Sequence, residues 1–174
     1  MKRAFRLAVN VSPIQFRSKT LALRVATALK DSGLAADRLE LEITEAVLIR
    51  DDDEALVILH QLRDLGVRIA LDDFGTGYSS LSYLRRFPFD KIKIDRSFVS
   101  DIGDAGGSSL IVQAVVNMAS ACRMSTTAEG VETETQREIL RGLGCSEMQG
   151  YLFSPAVPAS KLQQLLLSDA SDAA

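Results

Sequence analysis

The chain has 174 residues, 47% of them hydrophobic and 25% charged, and carries a net charge of −3, the make-up of one soluble globular domain with a sizeable core. No basic stripe offsets the acidic excess, which argues against DNA or RNA as the main partner but admits a small phosphorylated ligand whose charge a metal balances. No stretch is long and apolar enough to span a membrane, and the basic start Met1-Lys2-Arg3 leads only into Leu7-Ala8-Val9, too short for an export signal.

Apolar runs then alternate with helical patterns. Phe5–Val11 predicts a strand, and Leu21, Val25, Ala28 and Leu29 share one side of a helix from about Lys19 to Asp31, stopped at Gly33. Leu39–Ile43 predicts the second strand. The helix after it opens on Asp51-Asp52-Asp53, acids suited to the positive end of a helix dipole, and stops at Gly66. Val67–Leu71 is a strand followed by a glycine-rich turn and a short helix at Ser80–Arg86. Three further pairs follow: Lys91–Ile94 with Ser108–Ala121, Ser125–Ala128 with Thr133–Leu143, and Cys145–Met148 with Pro158–Leu167. The small acidic tail 168–174 is expected to fray. Cys122 and Cys145 show no pairing or zinc pattern and read as free thiols of a reducing cytoplasm. His60 lies within a helix pattern and takes no role.

Six strand–helix units in a row argue for a parallel sheet with crossover helices. Asn10, Glu42 with Glu45, Asp72-Asp73, Lys93 with Asp95, Glu129 with Glu132, and Gln149 fall at or just past the C-terminal strand ends. In a (β/α) barrel that face carries the active site. A doubly wound sheet gathers its site at one switch point instead, so acids at successive strand ends favour the barrel. A full barrel has eight units. The expected fold is therefore an incomplete TIM-like barrel over residues 1–167.

Asn10, Glu42, Asp72, Asp73, Glu129 and Glu132 form an all-oxygen donor set, which selects Mg²⁺ or Mn²⁺ over zinc or copper. Asp72-Asp73 follows the apolar Ile69-Ala70-Leu71 and precedes Phe74-Gly75-Thr76-Gly77. Consecutive carboxylates at a strand end suit a pair of metals that clamps both the attacking and leaving oxygens of a phosphodiester. Lys93, between Ile92 and Ile94, points into the barrel, where burial demands a partner. As a structural group it pairs with Asp95 or Asp73; as a functional one it orients the attacking water or stabilises phosphate charge.

Taken together, six segments resemble the EAL-domain family of bacterial cyclic di-GMP phosphodiesterases in order and spacing. They are Asn10-Val11-Ser12, Glu42-Ile43-Thr44-Glu45, the run from Asp72 to Leu81, the run from Lys93 to Val99, Glu129-Gly130-Val131-Glu132-Thr133 and Gln149-Gly150-Tyr151. The resemblance implies hydrolysis of cyclic di-GMP to linear pGpG with two Mg²⁺ or Mn²⁺ ions. It implies Asn10, Glu42 and Asp72 as ligands of one metal and Asp72 with Asp73 as ligands of the second. Glu129 is implied as ligand or base, and Lys93 as the group that activates or orients the water. Glu45 would hold the glycine loop, which the family uses in dimerisation, and Asp95, Glu132 and Gln149 would complete the site. The implied partners are cyclic di-GMP and a second copy of the chain, with a sensor or GGDEF-type domain upstream in a parent protein.

Nothing ahead of Asn10 matches the family's Glu-Ala-Leu segment, whose glutamate is a metal ligand. Glu54-Ala55-Leu56 spells it, but in the wrong place, at a helix start. The expectation is that two strands of the domain lie outside this chain and that its hydrolysis is impaired. Its open edge should be covered by a second copy or by rearranged helices. Three other readings remain: a module that binds without cleaving, an interaction element using the open edge, and a magnesium-dependent lyase with Lys93 as base. The Asp72-Asp73 pair and its loop count against the lyase.

Overall fold

The computed structural model describes residues 5–47, 52–75, 81–103 and 107–162. Its strands are β1 (Leu7–Val11), β2 (Leu39–Thr44), β3 (Arg68–Phe74), β4 (Lys91–Ile94), β5 (Ser125–Ala128) and β6 (Glu147–Met148). The helices are α1 (Pro13–Phe16), α2 (Leu21–Ser32), α3 (Asp52–Asp64), α4 (Leu81–Arg86), α5 (Arg96–Ser100), α6 (Ser108–Ala121) and α7 (Glu134–Gly142). Every strand pairing is parallel and spatial order follows chain order. A doubly wound sheet would reverse direction from a central strand. Steady progression curls the sheet one way instead, giving the incomplete barrel that the sequence predicts.

Period-2 alternation gives the sheet two unlike faces. Ile43, Ile69, Ile92 and Ile94 are fully buried under the helices, together with Leu59, Leu62, Val112, Ala119 and Leu140. Burying each of these isoleucine, leucine or valine side chains stabilises the fold by about 1.5–3 kcal/mol. The alternate positions, Ala8, Glu40, Glu42, Lys91, Lys93 and Thr127, line the concave face. A polar wall thus stands where many (β/α) barrels pack layers of branched aliphatics.

Local chemistry sets the helix starts. Ser12 caps α1 and Thr133 caps α7, each in a reciprocal capping box with the glutamine three residues on. Helix α7 accordingly begins at Glu134, one residue later than expected, and β3 runs three residues past its expected end to Phe74. Residues 159–162 are helical. Positions 163–167 of the expected last helix, the tail 168–174, Asp51 and the loop residues 76–80 lie outside the described residues. Among the described residues, no helix is long and apolar enough to cross a membrane.

The two edges of the sheet are β1 and β6. Leu7 and Val9 on β1 are 49% and 41% exposed. A groove of about 380 Å³ runs between β1 and α2, lined by Leu7, Val9, Leu21, Val25 and Leu39. The described helices leave this edge open rather than rearranging over it. Arg6, just ahead of β1, reaches across the concave face to β6, with its Nη1 3.3 Å from Glu147 Oε1.

Candidate metal centre

Lys93 occupies the middle of the concave face. Its strand neighbours Ile92 and Ile94 are drawn into the outer core, which places Lys93 inside, 4% exposed. Its Nζ lies 2.7 Å from Glu129 Oε1, 2.8 Å from Glu42 Oε2 and 2.9 Å from Asp72 Oδ1. These ion partners come from β2, β3 and the end of β5, not from Asp73 or Asp95 as the structural reading of Lys93 expects. Inward positions of neighbouring strands lie level, whereas Asp95 has already left β4. Burial opposes the ammonium charge, yet hydrogen bonds to Glu129, Glu42 and Asp72 outweigh it and hold the Lys93 pKa above the ordinary lysine value. The group is therefore a fixed cation.

In a regular strand, consecutive side chains face opposite ways. The register of β3 against β4 shifts between Leu71 and Phe74, and Asp73 sits at φ 54°, a left-handed conformation that aspartate tolerates better than most residues. The irregularity lets both acids reach one place. Carboxylate oxygens of Asp72, Asp73 and Glu129 lie within 4.8 Å of one another. Burial raises the pKa of Asp73, and so do Asp72 and Asp95, against the pull of Lys93. Burial likewise raises that of Glu129, against Lys93. Crowded acids whose ionisation is resisted are relieved by a hard divalent cation. An all-oxygen donor set of this kind fits a hard divalent cation.

Asn10 on β1 lies opposite Glu42 in register. With its nitrogen turned inward, its amide donates to Asp72 Oδ2 and Glu42 Oε2, each at 3.2 Å. The structure thus gathers Asn10, Glu42, Asp72, Asp73, Lys93 and Glu129. An adjoining cavity of about 400 Å³ is lined by Asp73, Asp95, Glu129, Glu132 and Gln149. Asp95 has a second task as the N-cap of α5: its Oδ1 accepts from the Ser97 amide at 3.0 Å, and the Ser97 hydroxyl leads the contacts that lower its pKa. Glu45 is buried in a 3₁₀ turn directly after β2; of the loop assigned to it, residues 76–80 lie outside those described.

Gln149 is exposed, and its backbone is fixed by the Gln149 amide on Ala128 O (2.8 Å) and the Val131 amide on Gln149 O (3.0 Å). A Cβ on Gly150 would meet Val131 O at 2.1 Å and Val131 N at 2.3 Å. The close crossing explains the glycine in a motif that looks nondescript as sequence.

A second ionic layer lies beneath the first. Lys91, 4% exposed, pairs with Glu40 at 2.8 Å and Glu147 at 2.6 Å, and Glu40 also meets Arg68 at 3.8 Å. The sequence reading passes over it. The signal was present: the alternation that turns Lys93 and Glu42 inward also turns Lys91 and Glu40 inward.

Known proteins resemble the chain in sequence and in fold. The profile of the EAL domain matches residues 1–156. Cyclic di-GMP phosphodiesterase NbdA of Pseudomonas aeruginosa is 45% identical over 169 residues, 97% of this chain and 22% of that protein. A solved structure described as a PaMucR phosphodiesterase in complex with c-di-GMP superposes with a TM-score of 0.86 at 44% identity, covering 90% of this chain and 64% of that one. Klebsiella pneumoniae BlrP1, solved as a manganese and cyclic di-GMP complex, gives a TM-score of 0.81 at 36% identity, covering 88% of this chain and 39% of that one. The chain spans about a fifth of the length of the curated relatives it matches, 20% in the first of them. On the match of the domain profile over most of its length, the chain belongs to the EAL domain family.

Proposed function

We propose that this chain supplies the main catalytic wall of a domain that hydrolyses cyclic di-GMP to linear pGpG. The observation that carries the reading is the convergence of Asp72, Asp73 and Glu129 within 4.8 Å, beside a buried lysine. Asn10, Glu42, Asp72 and Asp73 would hold Mg²⁺ or Mn²⁺, which supply Lewis-acid activation of the attacking water and charge stabilisation of the phosphate. In the hydrolysis a water oxygen bonds to phosphorus as the P–O3′ bond breaks, and the leaving oxygen takes a proton. Glu129, whose pKa burial raises, is the group placed to take the water's proton. Lys93 stays an ammonium throughout and orients the water and the phosphate oxygens by charge. A cation with its pKa held up is a poor base, which counts against the lyase reading.

Partners follow from the same reading. Cyclic di-GMP is the ligand, and a second copy of the chain and an upstream sensor or GGDEF-type domain are the protein partners. The two free thiols, Cys122 and Cys145, suit a reducing compartment and support a cytoplasmic setting. The reading that the chain alone binds without cleaving is favoured by Asn10, which sits exposed on the open strand β1. Incubation of the full-length encoded protein with cyclic di-GMP and Mn²⁺ should release pGpG on chromatography, and chelation with EDTA should stop it. Product formation unaffected by EDTA would count against the metal centre.

A further inference from the structure

Two cavities adjoin the acid cluster and share three lining residues, Arg96, Gly130 and Glu132. Their volumes are about 400 and 460 Å³. Most of the polar lining beside the acid cluster is acidic: Asp73, Asp95, Glu129 and Glu132. Arg96 is the one cation lining either cavity among the described residues. It is exposed, and its guanidinium makes no hydrogen bond or ion pair with a described residue, acting on Asp95 only through space. The backbone is shaped to keep it there. Gly130 has φ 70°, and a Cβ at that position would lie 2.6 Å from Arg96 Cβ. Any side chain at 130 would push Arg96 aside.

Resting on the functional reading above, we propose that Arg96 and Glu132 form a guanine-recognition subsite, with Arg96 taking the Hoogsteen edge of one base of cyclic di-GMP. Guanine offers acceptors, O6 and N7, on that edge and donors, N1–H and N2–H₂, on its Watson–Crick edge. A guanidinium only donates and a carboxylate only accepts, so a cation and an acid on one cavity match both edges of guanine. Adenine carries a donor where guanine has O6 and loses the two-point contact. On the functional reading the reacting phosphate is taken by the metals and Lys93, which leaves the base for Arg96 and Glu132. Tyr151, 72% exposed and lining the same cavity, offers a ring on which the base can lie.

The test is a ligand-by-residue cycle on the full-length encoded protein, with affinities measured in Ca²⁺. The probes are cyclic di-GMP and its 7-deaza analogue, in which a C–H replaces N7. In the wild type the deaza change should weaken binding markedly. Arg96→Met should weaken cyclic di-GMP about ten- to a hundredfold and abolish most of the penalty for losing N7. Arg96→Lys should fall between. Arg96 is exposed, so equal melting temperatures should show that the variants fold. Additive losses would put Arg96 on a phosphate and overturn the assignment, as would an unchanged affinity in Arg96→Met. Wild-type protein that binds no cyclic di-GMP at all defeats the functional reading and the subsite with it.

Discussion

Lys93 pairs with three carboxylates in the resting site and, on the proposed function, would also meet the water and the phosphate; substitution can separate the two tasks. Lys93→Ala in the full-length encoded protein should lower turnover far more than cyclic di-GMP affinity, measured as kcat against the binding constant. Equal losses would make Lys93 a phosphate clamp instead. Removing one partner of a buried ion cluster leaves the others uncompensated, at a cost of about 3–5 kcal/mol. The Lys93→Ala variant should therefore melt well below wild type without metal and recover much of the difference in Mn²⁺. A melting temperature indifferent to Mn²⁺ would contradict a metal beside Glu42, Asp72 and Glu129. The position of Lys93 was legible from its isoleucine neighbours. Its partners were not, because which inward residues lie level depends on strand register, and no local pattern records that. The shared reach of Asp72 and Asp73 was hidden in the same way, since it needs the shift in β3.

Among the elements, β6 is only two residues long, yet it carries Gln149 to the site. Its position depends on the crossing of Gly150 over Val131. Gly150→Ala forces a Cβ into backbone and should cost about 1–3 kcal/mol as overpacking, with loss of activity as Gln149 moves. Thr133→Ala, which removes the α7 cap, should cost about 1 kcal/mol and leave kcat nearly unchanged. Thermal melts and assays on both variants check the contrast. Most elements were legible because outward isoleucines and helical stripes repeat with clear periods. Helix α1 escaped because its four residues are too few to show a period, although Ser12-Pro13-Ile14-Gln15 spells its capping box. Helix α5 escaped likewise, its cap Asp95 reading as a site residue.

At the scale of the molecule, the inner ionic layer ties the two open edges through Arg6, Glu147, Lys91 and Glu40. Burial resists the Glu147 charge, but the Lys91 hydrogen bond, with the charges of Lys91 and Arg6, outweighs it and holds the pKa below the ordinary value. That stabilisation is full above the unfolded pKa, about 4.3, and is lost as pH falls through the lower folded value. The stability gap between wild type and Glu147→Gln should therefore persist at neutral pH and close below about pH 4. A gap constant down to pH 3 would contradict the tie. The exposed row of Leu7 and Val9 on an unpaired edge is a template for association. The isolated 174-residue chain should accordingly show mass rising with concentration in light scattering and hydrolyse cyclic di-GMP poorly. The central claim is a metal-dependent phosphodiester site built on Asp72, and chromatography of product formed by wild-type and Asp72→Asn full-length proteins in Mn²⁺ tests it most directly. The account predicts pGpG from wild type and a loss of at least about a hundredfold in the variant; equal rates would contradict it.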